Sequence, residues 1–297
     1  MNPSLSAVLM SAAFMGGLGG LLALMLAFAS RRFAVWEDPR IDQVEAMLPK
    51  SNCGACGMAG CRNFAERATL GEIAPGLCTV STPAQREAIA ALLGVEAGIG
   101  EARVARLACA GGRHVAYQRA RYEGAQSCRA ANVLAGGGKG CAWGCLGLGD
   151  CVSACTFDAI ALDANGLPVV DAAKCVACDD CVAICPKGLF SLHPVSHQLW
   201  VACNNRAEPD LAERDCEVAC TACGKCVADA APGLIRLQNN LAVVGYASNS
   251  LARRDAIERC PTGAIVWFDN VRAAHATIKG HAAKKILRRT PLPLRAD

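Results

Sequence analysis

The sequence predicts an α+β protein that begins with an apolar helix and continues with small, repeated units. Three observations support this fold class. Residues 4–30 carry no charged side chain, twenty cysteines occur in 297 residues, and two cysteine-rich segments in the second half of the chain have matching flanks. Aromatic residues make up only 5% of the chain and 29 residues are glycine, so one large apolar core is not expected.

The N-terminal helix is predicted to anchor the chain in a membrane. The stretch LSAVLMSAAFMGGLGGLLALMLAFA is long enough to cross about 30 Å of hydrocarbon. No basic residue precedes it, as one would in a cleaved signal peptide. Arg31, Arg32 and Arg40 follow it, so the positive-inside rule places the bulk of the chain in the cytoplasm, where thiols stay reduced. The glycines at positions 16, 17, 19 and 20 either make this helix flexible or, as we prefer, allow close packing against another transmembrane helix.

The first cysteine motif is Asn52-CGACGMAGC, with a fourth cysteine further along. Residues 38–48 predict a short amphipathic helix, and the residues after Cys61 predict another. Glycines free the loop to wrap a metal group, and the positive end of a helix dipole favours a net-negative iron–sulfur core. A structural zinc site with the same thiolates is the alternative. The predicted ligands are Cys53, Cys56, Cys61 and Cys78.

The clearest motif has the spacing C-x2-C-x2-C-x3-C-P, which binds [4Fe–4S] clusters in bacterial ferredoxins. It starts at Cys175, and a stretched copy starts at Cys141. Disulfides and zinc sites do not predict this spacing. In such pairs, the last cysteine of each half binds the cluster of the other half. The crossed sets are Cys141, Cys145, Cys151 and Cys185 for one cluster, and Cys175, Cys178, Cys181 and Cys155 for the other.

A second pair of these motifs is half missing. A C-x2-C-x2-C triplet opens it, but Ala230 stands where the fourth cysteine is expected. Residues 248–259 lack the next triplet, and Cys260-PTGAIVW then closes the unit. By the crossing rule, the missing positions are the four ligands of one cluster. One cluster is therefore predicted here, on Cys220, Cys223, Cys226 and Cys260.

Four cysteines belong to no quartet, namely Cys109, Cys128, Cys203 and Cys216. They form a weak repeat, because LACAGG…SCRAAN precedes one ferredoxin unit and VACNN…DCEVAC precedes the other. Buried structural thiols are the preferred interpretation, and an additional cluster is the alternative if all four converge. Cys216 also competes for the fourth cluster, since Cys216-x3-Cys220 copies the spacing at Cys141.

Other chemistry finds no support in the sequence. No G-x-G-x-x-G follows a predicted strand, and GGGKG at 136–140 is not a phosphate loop because no Ser or Thr follows the lysine. No catalytic residue is predicted, since neither a Ser–His–Asp nor a paired-carboxylate arrangement is evident. The net charge of +4 does not indicate binding to nucleic acid. The five histidines are expected to have surface or structural roles.

The chain is thus predicted to divide into a transmembrane anchor, a small helical 4Fe-4S domain, and ferredoxin-like (βαβ-type) multi-cluster domains. The predicted domains are the anchor at 1–32, the 4Fe-4S domain at 33–93, a linker or small β-like layer at 94–135, a two-cluster ferredoxin domain at 136–195, a degenerate one-cluster ferredoxin domain at 196–270, and a basic tail at 271–297. The tail is expected to be flexible, with docking to anionic lipid or an acidic partner as the alternative.

This arrangement resembles the B subunits of Rnf complexes nearly end to end. The most specific matches are Asn52-CGACGMAGC, Cys141-AWGCLGLGDCVSACTFDAI and Cys260-PTGAI. The resemblance implies an electron-transfer subunit of a membrane oxidoreductase that couples ferredoxin:NAD electron transfer to proton or sodium translocation. The four [4Fe–4S] clusters predicted from the spacing fit this family, whose ligand roles carry over to the cysteines named above. The expected partners are soluble ferredoxin or flavodoxin, membrane lipid and other subunits, at the cytoplasmic face of a bacterial inner membrane. The second ferredoxin unit departs from the eight-cysteine form of some relatives.

Two other functions are compatible with a cysteine-rich, membrane-anchored chain. A polyferredoxin of another membrane oxidoreductase would repeat only the ferredoxin unit, and the first quartet argues against it. A zinc-stabilised interaction scaffold would use the same cysteines without redox work. The NAD site and the ion pathway are expected on partner subunits, since this chain has no dinucleotide fingerprint and one uncharged membrane helix.

Overall fold

The computed structural model describes residues 3–33, 36–269 and 277–295. Its mixed content of helix and strand agrees with the predicted α+β class. The α-helices are α1 (Pro3–Arg32), α2 (Pro39–Met47), α3 (Cys61–Thr69), α4 (Pro83–Leu93), α5 (Cys128–Val133), α6 (Asp150–Ser153), α7 (Asp180–Ile184), α8 (Pro209–Asp215), α9 (Lys225–Asp229) and α10 (Asp255–Glu258). The strands are β1 (Arg103–Leu107), β2 (Ile160–Leu162), β3 (Pro168–Val170), β4 (Phe190–Pro194), β5 (Leu199–Val201), β6 (Ile235–Gln238), β7 (Leu241–Val244), β8 (Ile265–Phe268) and β9 (Thr277–Lys279).

Helix α1 is apolar along its length and does not pack on the rest of the described chain. Within the described residues, Leu9–Arg32 is the one helical stretch that is long and apolar enough to cross a membrane. None of that stretch is buried by other parts of the protein. Its apolar surface therefore fits a lipid environment or a partner helix better than water.

Helices α2, α3 and α4 form a small helical unit around one apolar core. The carboxylate of Asp38 accepts a hydrogen bond from the Arg40 amide and caps the start of α2. Thr82 and Gln85 form a reciprocal capping box at the start of α4, which satisfies amide groups that the first turn leaves free. The core contains the buried side chains of Val44, Phe64 and Ile89. The helices predicted at 38–48 and after Cys61 are confirmed.

The remainder of the chain contains two units with the same order of elements. The first unit (residues 103–194) and the second unit (residues 199–268) each contain an outer strand, a cysteine loop with a short helix, a hairpin, a second short helix and a returning strand. The returning strand pairs antiparallel with the outer strand, as β1 with β4 and β5 with β8, and the hairpins are β2–β3 and β6–β7. The repeat seen in the sequence thus corresponds to a repeated chain path.

The described part of the basic tail is not a free segment. Strand β9 pairs with β8, and Leu292 is buried. Lys284 and Arg288 form ion pairs with Glu213 and Glu217 of the second unit. Residues 277–295 therefore pack along the protein, in contrast to the predicted flexible tail, because apolar burial and carboxylates hold them there. Residues 271–276 and 296–297 of that predicted tail lie outside the described residues.

A cluster of rings joins the first unit to the second. The His193 ring in β4 lies 4.8 Å from the Trp200 ring of β5 and 4.9 Å from the Tyr246 ring, measured between centroids. His197 stacks on Tyr246 at 4.1 Å. Burial, with help from the neighbouring His197, lowers the pKa of His193 to about 4. His193 is therefore neutral in the folded protein at neutral pH.

This burial predicts a loss of stability in mild acid. The unfolded chain protonates His193 below about pH 6.5, whereas the folded protein resists protonation down to about pH 4, so stability falls as the pH drops through this window. The variant His193→Gln should show a weaker dependence of the melting temperature on pH between 6.5 and about 4 than the parent. Melting curves at pH 8, where both side chains are neutral, provide the baseline. If the melting temperatures of the two proteins depended equally on pH in this window, the effect could not be assigned to His193.

Candidate metal centres

The four cysteines of the first motif line one cavity. These residues, Cys53, Cys56, Cys61 and Cys78, surround a small space in the helical unit. Cys61 is the first residue of α3, so its sulfur lies at the positive end of the helix dipole. The Ser81 hydroxyl donates to the Cys78 sulfur over 3.1 Å. This arrangement can hold a net-negative metal group.

Asn52 fixes the loop of this first quartet. Its side-chain oxygen accepts a hydrogen bond of 2.8 Å from the Cys61 amide. Its backbone has a φ of 46°, a left-handed conformation that Asn tolerates better than most residues. A side chain at Gly60 would come within 2.9 Å of the same oxygen, so the loop is closely packed at this point.

The cysteine loops of the two repeated units share one backbone conformation. Each loop has a residue with positive φ two positions after its first cysteine and another four positions after it. The first set is Gly147 (71°), Ala177 (58°) and Ala222 (48°), and the second is Gly149 (85°), Asp179 (78°) and Gly224 (75°). The second set forms the N-caps of α6, α7 and α9. The loop that starts at Cys145 therefore follows the same register as the loops that start at Cys175 and Cys220.

The register shows where one loop lacks a cysteine. The central position of the triplet is Cys178 in one loop and Cys223 in another, but it is Leu148 in the loop that starts at Cys145. A ligand for that loop has to come from another part of the chain. The cysteine spacing alone does not reveal this substitution. Gly147 and Gly149 are a signal that could have revealed it, because they stand at the two positions of the loop that need positive φ.

Cys155 lies with the triplet of the other half-motif. Burial raises the pKa of Cys181 to about 12, and the neighbouring sulfurs of Cys175, Cys178, Cys151 and Cys155 contribute to the rise in that order. Burial also raises the pKa of Cys178 to about 11, with a smaller contribution from Cys155. The structure therefore brings together the four cysteines predicted for this cluster.

Cys185 lies beside Cys151 of the other half-motif, whereas Cys141 lies in a different cavity. Burial raises the pKa of Cys151 to about 12, and the two nearby sulfurs that contribute are those of Cys128 and Cys185. Burial raises the pKa of Cys145 to about 12, with smaller contributions to the rise from the sulfurs of Cys109 and Cys151. Cys141 instead lines a separate cavity together with three of the cysteines left unassigned by the sequence. The predicted second quartet is thus brought together for three of its members.

The last predicted quartet also shares one cavity. Its lining includes Cys220, Cys223, Cys226 and Cys260. Burial raises the pKa of Cys226 to about 12, and the sulfurs of the other three contribute. A bidentate ion pair between Arg259 and Asp229 connects the end of α10 to α9 and holds Cys260 close to the triplet.

The raised pKa values determine the state of these thiols without metal. A thiol with a pKa near 12 is neutral at pH 7, while metals bind the thiolate. Metal binding must therefore displace protons from these sites, and the free energy of binding contributes to folding.

Comparisons with known proteins agree with these sites. A family model described as a putative Fe-S cluster matches residues 48–80, which include the whole first quartet. The B subunit of the Na(+)-translocating ferredoxin:NAD(+) oxidoreductase complex of Acetobacterium woodii is 39% identical over 261 residues, which cover 88% of this chain and 78% of the relative. The B subunit of the proton-translocating ferredoxin:NAD(+) oxidoreductase complex of Clostridium ljungdahlii is 40% identical, with 88% of this chain and 93% of the relative covered.

The chain belongs to the B-subunit family of ion-translocating oxidoreductase (Rnf) complexes. A third relative, the B subunit of the ion-translocating oxidoreductase complex of Methanosarcina acetivorans, is 36% identical, with 72% of this chain and 81% of the relative covered. The family resemblance inferred from the cysteine motifs is confirmed. Family membership and the matched Fe-S model together indicate an iron–sulfur protein of a multi-subunit complex, and α1 is a candidate for its membrane association.

The role of Asn52 predicts a specific loss of metal. Asn52→Ala removes the acceptor for the Cys61 amide and places a less tolerant residue at positive φ, so the first site should lose up to about four iron atoms per chain. Asn52→Asp keeps both the acceptor and the tolerance for this conformation, and should retain its iron. Iron is measured per chain after anaerobic purification. Full iron content in Asn52→Ala would contradict the role given to this side chain.

Proposed function

We propose that this chain is the electron-transfer subunit of an ion-translocating oxidoreductase, with H⁺ or Na⁺ as the coupling ion. It passes single electrons between soluble ferredoxin or flavodoxin and the part of the complex that reacts with NAD. The observation that carries this proposal is that cysteines far apart in the chain line common cavities, such as Cys260 with the triplet at Cys220. The names of the A. woodii and C. ljungdahlii relatives support the choice of ferredoxin and NAD.

The bound groups are [4Fe–4S] clusters in this proposal. The described residues include no group of three or more Cys, His, Asp or Glu side chains placed to hold a single metal ion. Four-cysteine sites around a cavity suit a [4Fe–4S] cluster, which accepts and donates one electron at a potential within about −700 to +450 mV. Three proposed ligand sets are Cys53, Cys56, Cys61 and Cys78; Cys155, Cys175, Cys178 and Cys181; and Cys220, Cys223, Cys226 and Cys260. A further cluster uses Cys145, Cys151 and Cys185.

The repeated units have ferredoxin-like architecture in this proposal, and the 4Fe-4S domain at 33–93 precedes them. The antiparallel pairing of β1 with β4 and of β5 with β8, with a hairpin between the two cysteine loops, supports this description. The domain limits at 136–195 and 196–270 follow the cysteine motifs. The outer strand β1 lies in the segment 94–135, which therefore contributes to the first unit rather than serving only as a linker.

The anchor places the chain on the cytoplasmic side of a bacterial inner membrane. Arg31 and Arg32 at the end of α1 support this orientation through the positive-inside rule. Small residues such as Gly16 and Gly20 have open space around them and suit close packing against a membrane subunit of the complex. Lipid surrounds the rest of the helix.

The proposed function predicts electron uptake without NAD reduction. Purified anaerobically, the full chain should contain at least about sixteen iron atoms with equal sulfide, and reduced ferredoxin should bleach its brown absorbance. It should not pass these electrons to NAD⁺, because the NAD site lies on another subunit. Stopped-flow mixing and metal analysis provide the measurement. Stoichiometric zinc without iron, or iron that ferredoxin cannot reduce, would refute the proposal.

The proposed role of α1 as the membrane anchor leads to a separate prediction. Deletion of residues 1–32 should release a brown, water-soluble protein with unchanged iron content, because the cysteine sites do not contact α1. Membrane fractionation and iron analysis compare this variant with the full chain. A truncated protein that stays in the membrane fraction of cells without the partner subunits would show that another segment anchors it.

A further inference from the structure

A fifth group of four cysteines lines its own cavity. Cys109, Cys141, Cys203 and Cys216 line one small cavity, as the four cysteines of the first quartet line theirs. A Cβ atom added to Gly111 would lie 3.1 Å from the Cys216 sulfur and 3.7 Å from the Cys109 sulfur. Two of the sulfurs therefore face the same glycine, and the absence of a side chain there keeps the cavity open.

The two repeated units contribute equivalent positions to this cavity. Cys109 lies two residues after the end of β1, and Cys203 lies two residues after the end of β5. Cys141 lies four residues before the cysteine loop of the first unit, and Cys216 lies four residues before that of the second. The four cysteines are thus two pairs related by the internal repeat, with one pair from each unit.

The hydrogen bonds to the sulfurs follow the same repeat. The Cys145 amide donates to the Cys109 sulfur over 3.4 Å, and the Cys220 amide donates to the Cys203 sulfur over 3.3 Å. Buried Asn205 donates from its backbone to Cys203 over 3.4 Å and from its side chain to Cys141 over 3.5 Å. Such N–H donors stabilise thiolates that bind metal clusters and tune their potential.

A half-buried cation also faces this cavity. Lys139, from the GGGKG segment that showed no phosphate-binding signal, lines the cavity. Its ammonium group donates to the carbonyl oxygens of Gly111 and Cys145 over 2.6 and 2.5 Å. A positive charge fixed at this position favours a net-negative group among the four sulfurs.

The remaining cysteine completes the second cluster. Asp150 accepts hydrogen bonds from the Ser127 hydroxyl and from the Cys128 amide at the start of α5. Asp150 directly precedes Cys151, so this contact brings Cys128 beside that ligand. Cys128 is therefore placed to act as the ligand that Leu148 cannot provide. Cys141 is not needed for the second cluster and lines the fifth cavity instead.

We propose that Cys109, Cys141, Cys203 and Cys216 bind a fifth [4Fe–4S] cluster, shared by the two units, and that Cys128 joins Cys145, Cys151 and Cys185 as the fourth ligand of the second cluster. This inference rests on the proposed iron–sulfur function. All twenty cysteines then belong to five quartets.

The fifth cluster connects the two units electronically. One hydrogen bond joins its ligand Cys109 to Cys145 of the second cluster, and one joins its ligand Cys203 to Cys220 of the fourth. A single electron moves from one cluster to its neighbour, which is reduced as the first is oxidised, and no bond forms or breaks. The shared cluster therefore bridges the two-cluster unit and the one-cluster unit.

Iron counting on the anaerobically purified full chain tests the inference. The parent should contain about twenty iron atoms, rather than the sixteen or so of four clusters. Cys203→Ser should lose about four, Cys260→Ser should lose about four, and the double variant about eight, because the two cysteines serve different clusters. The EPR signals of the remaining clusters report that each variant stays folded.

A rescue experiment tests the ligand exchange. Cys128→Ser should lose about four iron atoms, and adding Leu148→Cys should restore them, since position 148 has the register of Cys178. A parent with about sixteen iron atoms, a double variant that equals Cys260→Ser, or zinc lost in place of iron from Cys203→Ser would each overturn the fifth cluster. A parent with no iron would instead refute the proposed function itself.

Discussion

Bonds between iron and cysteine thiolates are the constraint on which the rest of this structure depends. The helices that carry the ligands are very short, with four residues in α6 and five in α7 and α9, and the hairpin strands β2 and β3 have three residues each. Elements of this size are not stable on their own in water. Burial of several of these thiols disfavours the thiolate, so bound iron both compensates the buried charge and ties the loops together.

The internal repeat explains why the cysteines are arranged as they are. In the second unit, the cysteines of one of the two crossed ligand sets are absent from the sequence, and apolar packing occupies that place. Ala256, at a position equivalent to Cys181, is buried in the core with Ile257 and Leu234, and Ala230 packs against the same core. Loss of a complete ligand set is consistent with a site that either holds a cluster or is filled by side chains, since a partly liganded cavity would leave buried thiols without a partner.

Most of the site could be predicted from the sequence because ligand spacing in ferredoxin motifs is local. The quartets at Cys53, Cys175 and Cys220 follow from it, and the crossing rule assigns Cys155 to the triplet that contains Cys181, whose raised pKa has a contribution from the Cys155 sulfur. Spacing did not place Cys141, because the substitution at Leu148 can be recognised only once the loop conformation is known. Convergence of Cys109 with Cys203 depends on contacts between the two units, such as the hydrogen bond from the Ala110 amide to the Ala202 carbonyl, which no local pattern encodes.

The most direct test of this account locates the iron itself. Anomalous difference maps of the anaerobically purified protein, recorded on either side of the iron absorption edge, show where iron is bound. Five separate peaks are expected, each among four cysteine sulfurs, with one peak between the two repeated units. Four peaks with no anomalous signal among Cys109, Cys141, Cys203 and Cys216, or peaks at the zinc edge in place of the iron edge, would contradict it.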